Sequence, residues 1–292
     1  MKIETLTTHL CTLGEGPVWD AANNAIIWVD IMEGAIHQYS FADENLTTFS
    51  IGELIGCVAL CKNDDLIFAS RSGFGLLDRN NGYRKLLYHP ESHLPTNRFN
   101  DGKCDVAGRL WAGTMAIDEM EGAGSVFSFD GKNTEKKIAN TTISNGMVWN
   151  ADNTILYFID TPTFEVVSYQ FDAITGNISR KKVVIKIPQE DGHPDGMTID
   201  TEGMLWIAHW DGWQVTRWNP LTGEKLSFIQ MPVSKVTSCV FGGPELKDLF
   251  ITSAQKGLTE KALKEQPLAG ALFVIRNCGY QGLPAFEFNY LN

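Results

Sequence analysis

Long apolar runs are missing from this chain. No stretch approaches the roughly 18 consecutive apolar residues of a membrane-spanning helix. Positive charge is scarce as well: 24 Lys and Arg stand against 35 Asp and Glu, a formal net charge of -11. Such a chain cannot neutralise a run of phosphates and is repelled by an anionic membrane surface, so neither nucleic acid nor membrane is expected as a partner. The six cysteines (Cys11, Cys57, Cys61, Cys104, Cys239, Cys278) form no Cys-x-x-Cys pair and have no histidine at zinc-finger spacing. Reduced thiols, mostly buried as small hydrophobes, are the expectation. Residues 1–10 lack the apolar core of a signal peptide, and the expected location is the cytoplasm. The Gly-x-Ser-x-Gly elbow of serine hydrolases and the His-Glu-x-x-His pair of zinc proteases are both absent. Helical periodicity is nearly absent too, with Leu258–Gln266 the one candidate, a short surface helix.

What is present is a repeat. A short strand led by Gly or Ser after a polar junction recurs at Gly16, Gly56, Gly102, Gly146, Gly196 and Ser238. The spacing of roughly 40–50 residues is that of propeller blades and not of solenoids. Each copy is followed by a polar turn such as Ala21–Asn24, Lys62–Asp65 or Thr201–Gly203. Next comes a strand rich in β-branched and aromatic residues: Ala25–Asp30, Leu66–Ser70, Leu110–Thr114, Ile155–Asp160, Leu205–His209 and Leu249–Thr252. Third strands are expected at Ala35–Phe41, Ser125–Phe129, Val166–Phe171, Gln214–Trp218 and Gly270–Ile275, and fourth strands at positions such as Ile178–Ile187 and Leu226–Met231. The expected fold is all-β, a six-bladed β-propeller of four-stranded antiparallel blades around a central channel, with residues 1–292 as one domain. The sixth copy is short of a strand, and Ile3–His9 is expected to supply it, closing the ring.

The junction residues ahead of the six copies are Glu15, Ile55, Asp101, Asn145, Asp195 and Thr237. In a propeller the innermost strands line the channel, so equivalent residues converge near one end of the axis. Any one of these polar residues alone reads as an ordinary turn former. Three carboxylates and an amide on one ring repel one another unless a proton or a cation intervenes. Oxygen donors favour Ca²⁺, Mg²⁺ or Mn²⁺, with Zn²⁺ and Fe²⁺ also open. Asn97–Lys103 adds Arg98 and Asn100 at the channel mouth, suited to a polyhydroxylated or carboxylated ligand or equally to a solvated loop. His193 reads as a packing or capping residue sooner than a proton shuttle. Trp19, Trp149, Trp206, Trp210 and Trp213 read as packing residues of the core or channel wall.

Taken in order along the chain, Gly14–Trp19, Asn97–Lys103, Ala112–Met115, Ser144–Gly146, Pro194–Met197 and Thr237–Gly243 make the sequence resemble the regucalcin (senescence marker protein) and gluconolactonase family. The resemblance implies a six-bladed propeller that uses one divalent metal ion to hydrolyse sugar lactones. It implies metal ligands at Glu15, Asn145 and Asp195, and substrate contacts at Arg98 and Asn100. An acidic substrate contact falls on Asp118 by ungapped count, with Glu119 its neighbour. Asp101 is expected to hold a water or to support the ligands from behind.

The expected chemistry follows. The ion polarises the lactone carbonyl, Asp195 takes a proton from the attacking water, and Arg98, Asn100 and Asp118 hold sugar hydroxyls. The expected partner is a small-molecule sugar lactone, on a chain that is a monomer or a weak homo-oligomer. Two alternatives stand beside this: a related metal-dependent esterase or organophosphate hydrolase, and a non-catalytic Ca²⁺-binding propeller.

Overall fold

In the computed structural model, which describes residues 2–290, six four-stranded antiparallel sheets form the ring of a six-bladed β-propeller. The first blade shows the plan: Gly14–Asp20 lines the channel, followed outward by Ala25–Asp30, Ala35–Ser40 and Asn45–Ser50. The innermost strands of the other blades are Ile55–Leu60, Asn97–Cys104, Ser144–Trp149, His193–Ile199 and Val236–Gly242. Burial falls from axis to rim. Every residue of Ala25–Asp30 is buried, whereas Asn45–Ser50 has none. That gradient is why second strands read as continuous β-branched and aromatic runs, and outermost strands as polar ones.

The sixth blade is Val236–Gly242, Asp248–Ser253 and Phe273–Ile275, with Glu4–Thr5 as its outermost strand. Glu4 pairs with Val274 and Thr5 with Phe273, so the chain's start closes the ring against its end. The closing strand is shorter than the Ile3–His9 expected from sequence, and its partner is shorter than Gly270–Ile275. Gly270 sits at φ +88, and a Cβ there would meet the Cys11 carbonyl oxygen at 2.3 Å. The left-handed turn at Gly270 ends the partner strand, although Leu6 N still donates to Leu272 O at 2.9 Å. The helix expected over Leu258–Gln266 is present as Glu260–Glu265, capped by Thr259, whose hydroxyl accepts from Ala262 N.

Each innermost strand breaks register with its neighbour at or beside its junction residue. The irregularities fall between Glu15 and Val18, Ile55 and Cys57, Phe99 and Gly102, Ser144 and Met147, Pro194 and Met197, and Val236 and Ser238. A bulge leaves a residue out of the ladder and re-aims its side chain, and here the device is repeated six times around the axis. The glycines after the junctions allow the inner strands to meet. A Cβ on Gly146 would stand 2.7 Å from the Asp195 carbonyl oxygen, and one on Gly196 would stand 2.1 Å from Ser238 Oγ.

Candidate active site

Hydrogen bonds between blades knit the inner strands around the junction ring. Asn100 Nδ2 donates to Ser144 O at 2.9 Å, Thr161 Oγ1 to Pro194 O at 2.8 Å, and Thr237 Oγ1 to Gly14 O at 2.6 Å. Thr237 is thereby spent on joining the sixth blade to the first, and Ile55 is fully buried. The other four junction residues, Glu15, Asp101, Asn145 and Asp195, are all buried. The Asp195 carboxyl neighbours both Glu15 and Asn145. The structure therefore brings together side chains separated by up to 180 positions in the sequence.

Most other buried acids in the fold are paired with an arginine or saturated by backbone amides, Glu91, which accepts from Asn97 Nδ2 at 2.9 Å, being the exception. Asp20 pairs with Arg79 at 2.6 Å, Asp105 with Arg109 at 2.6 Å, and Asp200 with Arg217 at 2.8 Å. Asp30 accepts from the backbone amides of Thr12, Leu13, Met32 and Glu33. Among the described residues Glu15, Asp101 and Asp195 have no salt bridge, and each accepts the backbone amide that follows it or lies beside a neighbouring side chain. Two like charges about 4 Å apart cost about 4 kcal/mol at an effective dielectric of 20. Burial first, and then the charges of Asp195 and Asp101, hold the Glu15 carboxyl well above the usual carboxylate range. Burial and Asp101 do the same to Asp195, while contacts with Glu15 and Asn145 pull it partly back. Asp101 is raised by burial against the opposing charge of Lys103, whose ammonium donates to Met197 O across the channel at 2.9 Å.

The fourth member points the same way. Asn145 Nδ2 donates to Thr161 Oγ1 at 2.9 Å, which fixes the amide, while the buried Oδ1 has no hydrogen-bond partner among the described residues. An orphaned amide oxygen beside unneutralised carboxylates is a donor set made of hard oxygens, and it fits a divalent cation.

Arg98 and Asn100 stand beside this cluster, both buried. Arg98 Nη1 donates to Phe99 O at 2.9 Å and to Asn100 Oδ1 at 2.8 Å. Asn100 is thus the clamp that orients the guanidinium, leaving Nη2 and Nε without partners among the described residues. Burial lowers Arg98 to about 10, against the opposing charges of Glu15, Glu119 and Asp195. Asp118 and Glu119 both sit exposed in the loop after Leu110–Ala116. The charge of Glu119 bears on Arg98 and on Lys256, and so Glu119 faces this side.

Three residues at or around the ring were given no role by the sequence. Thr161 orients Asn145 from a 3-10 turn, Lys103 crosses the channel below Asp101, and Lys256 lies in the loop after Asp248–Ser253, within reach of the charges of Arg98 and Glu119. Lys103 alone was inside a recognisable motif. His193 is exposed and packs on Phe164 with ring centroids 4.9 Å apart. Trp19, Trp149 and Trp206 are buried and Trp210 is half-buried under Lys235, whereas Trp213 is exposed and does not pack in the core or channel wall as expected. All six cysteines are free and buried. Below the cluster the channel continues as a cavity of about 270 Å³ lined by Val18, Val58, Lys103, Val148, Thr198 and Val240, with Leu283–Phe286 beside it.

Known proteins share this fold. Residues 13–255 match the family described as the SMP-30/Gluconolactonase/LRE-like region. Bovine regucalcin is 35% identical over 99% of this chain and 98% of its own length. The Bacillus subtilis (strain 168) protein named "Putative sugar lactone lactonase YvrE" is 36% identical over 93% of this chain and 94% of its own. The crystal structure of a calcium-binding protein, regucalcin, from Agrobacterium tumefaciens superposes with a TM-score of 0.92 at 30% identity, over 99% of this chain and 97% of that one. With relatives matched from end to end and the family pattern spanning all but the edges of the ring, this chain belongs to the SMP-30/gluconolactonase/LRE-like family.

Proposed function

We propose that this protein hydrolyses sugar lactones, of the aldonolactone type, to the corresponding aldonic acids at the axial cluster. The observation that carries the reading is the unneutralised set of Glu15, Asp195 and Asp101 beside the orphaned Oδ1 of Asn145. The family it belongs to and the lactonase name borne by the Bacillus relative support the choice of substrate.

Glu15, Asn145 and Asp195 would hold one divalent ion. When bound, the ion supplies Lewis-acid polarisation of the lactone carbonyl and neutralises the cluster. The protein's own groups do the rest. Arg98 presents Nη2 and Nε to sugar oxygens, with Asn100 fixing the plane of the guanidinium. An acid on the loop at Asp118–Glu119 accepts from a sugar hydroxyl, and the coupling of Glu119 to Arg98 favours Glu119 for this role. Asp195 accepts the proton of the attacking water on a carboxylate oxygen. Asp101 stands beside it and accepts from the Gly102 amide at 2.6 Å.

The test is a kinetic screen of aldonolactones and aryl esters on chelated protein, reloaded in turn with Ca²⁺, Mg²⁺, Mn²⁺, Zn²⁺ and Fe²⁺. Acid release from aldonolactones that stops with EDTA and returns with metal is the expected result. Turnover of aryl esters in preference to lactones would replace the substrate assignment, and metal binding without any turnover would leave a calcium-binding propeller in place of an enzyme.

A further inference from the structure

Away from the axis, His9, Cys11 and His37 place one ligand atom each within 4.8 Å of one another. His9 and Cys11 lie on the segment that runs from the closing strand Glu4–Thr5 to the first innermost strand, and His37 lies on the third strand of the first blade. The two imidazoles are in contact, with ring centroids 4.4 Å apart. His37 is 2% exposed and Cys11 1% exposed. Nε2 of His9 and Nε2 of His37 are both buried with no hydrogen-bond partner among the described residues. Two such orphans side by side are costly in a core unless something occupies the space between them.

The surroundings are those of ligands held in place. His37 Nδ1 contacts Thr48 Oγ1 at 2.9 Å, and a proton on Nδ1 leaves the lone pair of the unpartnered Nε2 free for a metal. Burial, with the nearby His9 adding to it, lowers His37 to about 4, so the ring is neutral at physiological pH. Trp28 Nε1 donates to Cys11 Sγ at 3.3 Å, an N–H···S contact that stabilises a thiolate once the sulfur is metallated. Burial and the charge of Asp30 push the free thiol up to about 12, so binding must release its proton. Asp30, beside this thiol, already accepts four backbone amides.

We propose that His9, Cys11 and His37 form a second metal site, chemically distinct from the axial one, that takes Zn²⁺. A sulfur and two imidazole nitrogens select a borderline-soft ion, whereas the axial oxygens select a hard one. In a tetrahedral zinc site the donors stand about 3.4–3.6 Å apart, so side-chain movements of about 1 Å complete the coordination. A fourth position is left for water. The ion pins the segment that follows the closing strand to the first blade, at the seam where the ring is joined.

Cobalt(II) separates this site from the axial cluster, because only a sulfur ligand gives an intense near-ultraviolet charge-transfer absorption. Metal-free protein, kept reduced, is titrated with Co²⁺. The expected result is a sulfur-to-cobalt band that rises to a plateau and is displaced by Zn²⁺. The band is lost in Cys11→Ser, weakened in His37→Gln and in His9→Ala, and retained in Glu15→Gln. No band in the unaltered protein, or an undiminished band in Cys11→Ser, overturns the proposal. His9 is only partly buried, so His9→Ala decides the matter by the same band if the Cys11 variant fails to fold. The sulfur signal is blind to the axial ion, so neither outcome depends on the lactonase reading.

Discussion

Replacing Glu15 with glutamine tests the electrostatics of the axial cluster without removing its shape. Buried beside Asp195 and Asp101, the Glu15 carboxyl holds its proton to a higher pH than it does in the unfolded chain. Between the ordinary carboxylate range and that raised value, the folded state therefore binds more protons than the unfolded one. Stability of the metal-free protein must then fall as pH rises through the window, by about 1.4 kcal/mol per pH unit for one proton. At about 2.1 cal/mol/K per residue, unfolding of the 292-residue chain has an entropy of about 0.6 kcal/mol/K, so the slope corresponds to about 2 °C in Tm per pH unit. Glu15→Gln removes that proton from the balance. In scanning calorimetry with chelator, its Tm should decline less steeply with pH than that of the unaltered protein, and the two curves should diverge towards alkaline pH with the variant the more stable. Saturating metal should stabilise the unaltered protein and reverse the order. Parallel Tm curves in chelator, or a variant less stable throughout, would refute the claim that these carboxyls repel one another in the folded ring.

Three further outcomes follow from the site. Asp195→Ala should lower kcat by about 10²–10⁴-fold, the range for loss of a general base, and should weaken metal binding in calorimetric titration. Arg98→Ala should raise KM for the lactone by about 10–100-fold, in line with about 1.5–3 kcal/mol for a charged hydrogen bond, while kcat stays within a few-fold; a pure kcat effect in steady-state kinetics would count against a positioning role. Thr161→Val removes the hydroxyl that fixes Asn145 and should raise the metal Kd by about 10–100-fold, with turnover restored at saturating metal.

The blades were legible because burial falls off from axis to rim and because each inner strand needs a glycine or serine where it crowds its neighbour. Ala25–Asp30, Leu66–Ser70 and Ile155–Asp160 begin and end where the sequence pattern places them. Gly73–Leu77 had no place among the expected third strands, because two glycines in five residues weaken a strand pattern. Gly75 is there because the Phe68 ring lies where a Cβ would be, 2.4 Å from its Cζ. Of the axial cluster, the residue types and their equivalence around the ring were readable, but the bulges that turn them inward were not. Register is a property of pairing, and no single strand encodes it. The triad His9, Cys11 and His37 was hidden for a related reason: its third member comes from a different strand, so no spacing within one segment announces it.

The pairing of Glu4 and Thr5 with Phe273 and Val274 also has a consequence in time. On a ribosome adding about 5–20 residues per second, the first strand to be made waits about 15–55 s for its partner to emerge. By the end of that interval five blades can be complete while the sixth presents a bare edge. The nascent chain is then most exposed to capture by another copy's opening segment, and anything fused ahead of Lys2 must leave that segment free to find its own chain's end.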